Sequence, residues 1–109
     1  MVRLTVVPRS GDNLFSLLVA KEVELRRQGR GTLHRSGPKK PGQEKWSHKS
    51  ENYPGWIKLQ RRDDGTLAIA VQSNPISKEW QLLTSLVGFL DRHFRSSISS
   101  MTISYDRGK

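Results

Sequence analysis

Rings and cations alternate in the middle of the chain, as Lys45-Trp46-Ser47-His48-Lys49 and then Tyr53-Pro54-Gly55-Trp56-Ile57-Lys58. Aromatic rings that stack on bases, beside cations that meet phosphates, are what a single-stranded nucleic acid requires. Trp46, Tyr53 and Trp56 are the stacking candidates. The same rings would also serve as amphipathic anchors that pin a long loop onto a domain. The charge around them is concentrated. From Arg26 to Lys49 the cations are Arg26, Arg27, Arg30, Arg35, Lys39, Lys40, Lys45 and Lys49 against Glu44 alone, so this stretch holds most of the chain's net charge of +9. Such a segment reads as an arm for an anionic surface, most often nucleic acid. Charge kept only for solubility would be spread more evenly.

Other chemistries find less support. Gly37-Pro38-Lys39-Lys40-Pro41-Gly42 has the glycine spacing of a phosphate-binding loop, but Gln43-Glu44 follows where lysine and a hydroxyl are needed. Its two prolines also remove N–H groups that would cradle phosphate. Gly29-Arg30-Gly31 follows a helical stretch and not a strand, so it makes no dinucleotide fingerprint. His34, His48 and His93 have no short ligand spacing, and there is no cysteine. No metal and no cofactor is therefore expected. Glu22 falls on the apolar side of a helix, between Leu18 and Val19. A buried glutamate there is a candidate acid, whereas an i,i+4 pair with Arg26 is its plainer role. No serine sits in a nucleophile elbow. Nothing marks the chain as an enzyme, and a site around Glu22 or the loop histidines is the only catalytic alternative.

The elements that must position these residues follow from periodicity. Val2, Leu4 and Val6 alternate with Arg3 and Thr5, a strand with one buried face that Pro8 ends. Gly11-Asp12-Asn13 supplies turn and N-cap residues for a helix from Leu14 to Gln28, with Leu14, Leu17, Leu18 and Leu25 as its stripe. Residues 29–54 carry glycine and proline at intervals that no helix survives. They form a long basic loop, either open or drawn into a ragged hairpin of residues 32–35 and 45–49. Ile57 and Leu59, then Leu67, Ile69 and Val71, alternate as two strands. For both apolar sets to face one core, residue 59 must oppose 69 and residue 57 must oppose 71. Asp63-Asp64-Gly65 is then a three-residue turn with Gly65 in the left-handed region. Trp80, Leu83, Val87, Leu90 and Phe94, flanked by Leu82, Leu86 and Phe89, make a long amphipathic helix. Met101, Ile103 and Tyr105 alternate in a last strand.

The order β-α-β-β-α-β predicts an α+β ferredoxin-like sandwich over residues 1–109, a single domain. Its four-stranded antiparallel sheet carries both helices on one face, with the basic loop between the first helix and second strand. The open sheet face would carry Arg3, Thr5, Trp56, Lys58, Gln60, Ala68, Ala70, Gln72, Thr102 and Ser104. RNA-recognition domains of this topology place aromatics on the two central strands. Here those positions are Arg3, Thr5, Ala68 and Ala70, so the chain departs from that pattern. No apolar run approaches the ~18 residues of a membrane span, and the stretch before Pro8 is too short for a secretory segment. A cytoplasmic, non-membrane protein is expected. The combined expectation is a nucleic-acid-binding module, RNA ahead of DNA. Its footprint is Arg26, Arg27, Arg30, Arg35, Lys39, Lys40, Lys45, Lys49 and Lys58, with the three rings. The alternative is an assembly subunit that docks an acidic protein, with a homodimer through the open sheet face.

Overall fold

The computed structural model describes residues 1–9, 13–38 and 40–105. β1 (Val2–Pro8) leads into α1 (Leu14–Arg27). Next come β2 (Leu33–Arg35), β3 (Gln43–His48), β4 (Trp56–Arg61) and β5 (Leu67–Gln72), which meander across the sheet. A 3₁₀ turn at Ile76–Lys78 starts the return through α2 (Glu79–Phe94), and β6 (Ile98–Tyr105) completes the fold. Every pairing is antiparallel, in the order β2-β3-β4-β5-β1-β6. The sheet is therefore six-stranded, which overturns the four-stranded ferredoxin-like sheet. The α+β class stands.

The two additional strands come from the basic segment. Its breakers are confined to connections. Gly29 and Gly31 lie between α1 and β2, while Gly37 and Gly42 bound the turn between β2 and β3. The stretches between them are free to pair, Leu33 with His48 and Arg35 with Trp46. Backbone bonds from Ser36 N–H to Lys45 O (2.6 Å) and from Lys49 N–H to Thr32 O (2.7 Å) extend that ladder. The hairpin form of this segment is the one the fold adopts.

The β4–β5 hairpin has the anticipated register, Leu59 opposite Ile69 and Ile57 opposite Val71. Gly65 lies at φ 89°, and Arg62 N–H to Thr66 O and Gly65 N–H to Arg62 O, each 2.9 Å, close the turn. Asn13 caps α1, its Oδ1 accepting from Ser16 N–H at 3.2 Å. The Gly11 and Asp12 of that turn lie outside the described residues.

One hydrophobic cluster unites the inward residues of the sheet with Leu14, Leu18 and Leu25 of α1 and Leu82, Leu86, Phe89 and Leu90 of α2. Both helices thus cover one face and leave the other open. Two stripe residues are corrected. Leu17 is exposed, and Trp80 is 60% exposed. The buried arc of α2 centres on Leu86, and a residue six positions earlier lies about 120° round the helix.

Candidate nucleic-acid interface

Alternation along each strand decides what the open face presents. Residues directly opposite in antiparallel strands point to the same side, so the pairings define rows across the sheet. One row reads Lys45, Lys58, Ala70, Arg3, Ser104 across β3, β4, β5, β1 and β6. Four strand spacings make it about 19 Å long. The neighbouring row is Gln43, Gln60, Ala68, Thr5, Thr102. Neither row contains a carboxylate. Lys45 stands directly opposite Lys58, and like charges in that relation destabilise a sheet. Both lysines are exposed, so their repulsion lies on the open face.

Two shallow depressions run together along these rows. The first, about 420 Å³, lies between the β2–β3 turn and the sheet and is lined by Ser36, Pro38, Lys40, Gln43, Lys45, Lys58 and Gln60. Glu44 and Leu59 also border it, but their side chains are buried on the helix side, so the floor there is backbone. The second, about 380 Å³, is lined by Arg3, Thr5, Trp56, Lys58, Gln60, Arg62, Ala68, Ala70 and Ser104 among others. Lys58 and Gln60 border both, so the two depressions adjoin and together reach from the β2–β3 turn to β6. The Lys58 ammonium sits 4.9 Å from the centre of the Trp56 ring, a cation–π contact that holds the two side chains together on the open face.

The twelve residues anticipated from the sequence do not form one patch. Lys40, Lys45, Trp56 and Lys58 line the groove. Trp46 does not. It is 0% exposed, meets Phe89 edge-on at 5.5 Å, and donates its indole N–H to Glu44 Oε1 at 2.9 Å. A ring buried in this way cannot stack on a base, so its assignment as a stacking residue is corrected. Arg26 is engaged by Glu22, with Nε 2.7 Å and Nη2 3.3 Å from the carboxylate. Those hydrogen bonds, and the charge behind them, hold the guanidinium above its ordinary pKa. Arg27 and Arg30 are exposed around the end of α1, in the helix layer, and Arg30 bonds the Gln28 side chain at 2.9 Å. Arg35 faces the helix side with Trp46. Lys49 is exposed just past β3, and Tyr53 is half-buried, stacked on His48 at 4.0 Å. Lys39 lies outside the described residues.

Arg3 and Arg62 also line the second depression, two cations outside the expected footprint. The alternation 56, 58, 60, 62 carries the signal for Arg62, one residue beyond the strand.

The groups considered for catalysis also have defined surroundings. Glu22 is 1% exposed, so the residue is both buried and paired with Arg26. His34 Nδ1 approaches its carboxylate to 3.8 Å, beyond hydrogen-bond reach. His48 Nδ1 accepts from Ser50 N–H at 2.9 Å. Burial, then the nearby His34, pushes the His48 pKa down. Burial and the cations Lys21, Arg92 and Arg30 do the same to His93. Among the described residues no group of three or more potential ligands is arranged to hold a metal ion, and no helix is long and apolar enough to cross a membrane. No family model, curated protein or solved structure matches the chain.

Proposed function

We propose that the protein binds single-stranded nucleic acid, RNA ahead of DNA, along the groove of its open sheet face, and does no chemistry on it. The observation that carries this reading is the row Lys45, Lys58, Ala70, Arg3, Ser104. Its opposed lysines repel each other in the free protein, and an anion lying between them would relieve that repulsion. Trp56, beside that row, offers a ring for one base. The amides and hydroxyls of Gln60, Thr5, Thr102 and Ser104 can meet bases or the 2′-hydroxyl that distinguishes RNA. The cysteine-free composition suits a cytoplasmic setting.

Fluorescence anisotropy with a labelled single-stranded RNA, on protein freed of nucleic acid by nuclease and high salt, tests the proposal. With about four cations engaged, log K against log salt should slope by roughly −3. Lys45→Ala with Lys58→Ala should weaken many sequences alike and make the slope shallower by roughly 1.4. Arg27→Ala with Arg30→Ala, in the helix layer, should change little. Trp56→Ala should cost roughly 1–3 kcal/mol of binding with the slope unchanged. Absence of binding to RNA and DNA at low salt would sink the reading and leave the cationic row to an acidic protein.

A further inference from the structure

The sheet has two edges, and they are unlike. β2 offers only three residues, whereas β6 runs for eight, Ile98–Tyr105, and pairs with β1 alone among the described strands. Half of its backbone donors and acceptors therefore point away from the sheet. Proteins ordinarily guard such an edge with lysine, proline, an inward charge or a short strand. β6, Ile-Ser-Ser-Met-Thr-Ile-Ser-Tyr, has none of these over residues 100–105, its one irregularity being the register shift opposite Val7 and Pro8. Among the described strands the only other one without a charged residue is β5, which lies inside the sheet. In composition β6 is an interior strand placed at an edge. Ile103 and Tyr105 are 39% and 68% exposed on its helix side.

We infer that β6 pairs antiparallel with β6 of a second copy, about a twofold axis perpendicular to the sheet. Unpaired strand groups are satisfied by another strand, as in β-strand addition. Charge favours a second copy as that strand. Two chains of +9 repel wherever their cations meet, so they approach each other best through an uncharged strip. The strip also lacks any charge that would select a foreign basic or acidic segment. The twofold makes the contact self-complementary. Any residue placed opposite itself keeps facing residues on one side of the sheet, and with Thr102 at the axis the paired stretch 100–104 clears the irregularity. Met101 then meets Ile103 and Ser100 meets Ser104. The result is one twelve-stranded sheet with both cationic grooves on the same side, and the pairing itself needs no nucleic acid.

Sedimentation of the full chain from 5 to 100 µM, free of nucleic acid and in moderate salt, should approach twice the 12.4 kDa chain mass. Thr102→Lys, at an exposed position, should give monomers with the wild-type circular dichroism and a melting temperature that, unlike the wild type's, does not rise with concentration. Because the chain has no cysteine, Thr102→Cys should cross-link to a covalent dimer under mild oxidation, since opposed Cα atoms in such a pair lie within disulfide reach. Wild-type protein that stays monomeric at 100 µM, or a dimer that persists in Thr102→Lys, would overturn the inference. Neither result bears on RNA binding by the monomer.

Discussion

Trp46 shows how a single residue can carry a sound chemical signal and still serve another purpose. Its neighbours Lys45 and Lys49 gave it the surroundings of a base-stacking ring. Its strand position decided otherwise, because Trp46 lies opposite Ile57 and shares that residue's inward side. The indole N–H is satisfied there by Glu44, itself buried, so the pair brings a donor and an acceptor into the core together. Spacing two apart on a strand permits this bond, yet hydropathy alone ranks Glu44 as a surface residue. Glu22 and Arg26 were more legible, since helical phase put the carboxylate on the apolar side with a cation one turn on. Trp46→Ala should cost about 3–5 kcal/mol, from the cavity it leaves. Trp46→Phe keeps a ring but leaves Glu44 without its donor, at about 1–3 kcal/mol. Urea unfolding measures both. The folded fraction of each variant should retain RNA affinity, and a variant of wild-type stability with lost affinity would restore Trp46 to the binding surface.

At the scale of elements, legibility followed the clarity of alternation. β1, β4 and β5 each bury an unbroken aliphatic set, which marks all three as strands and fixes the β4–β5 register, and both helices were as plain. The β2–β3 hairpin was ambiguous. β2 has three residues, and the inward set of β3 is Glu44, Trp46 and His48, which looks like a solvated sequence. With the segment balanced between hairpin and open loop, its two strands stayed out of the expected sheet. That reading also merged cations that the fold separates, with Lys40 and Lys45 on the groove and Arg27 and Arg30 in the helix layer. The β4–β5 turn was read correctly because strand parity and turn chemistry both required a left-handed residue at position 65. At φ 89° with nothing within 4 Å of where a Cβ would sit, Gly65 has only a backbone reason to be glycine. Gly65→Val should therefore lower the melting temperature clearly, and Gly65→Asn much less, since Asn tolerates that region. Equal effects in thermal melts would mean that the turn does not depend on its left-handed residue.

The whole molecule is strongly cationic, and its histidines add to that charge as pH falls. A formal charge of +9 already opposes compaction through self-repulsion. The pKa values of His48 and His93 are both pushed below the ordinary imidazole value, each chiefly by burial. The fold thus favours their neutral forms. In the unfolded chain they take up protons near the ordinary value of about 6.5, before the folded chain does. By linkage, their contribution is fully present above that pH and drains away as pH falls through the lower folded values. The depressed carboxylates act in a different window. Glu24, bonded to Lys21, Asp64, bonded to Thr66, and Asp91, bonded to Arg95, lie below their ordinary values. Their contributions survive until pH drops below about 4. Between about pH 7 and 5 the loss should therefore come from imidazole. The melting temperature of the wild-type protein should fall across that interval, and His48→Gln combined with His93→Gln should flatten the profile while leaving its acid limb in place. A wild-type profile that is level from pH 7 to 5 would show that neither imidazole is held neutral by the fold.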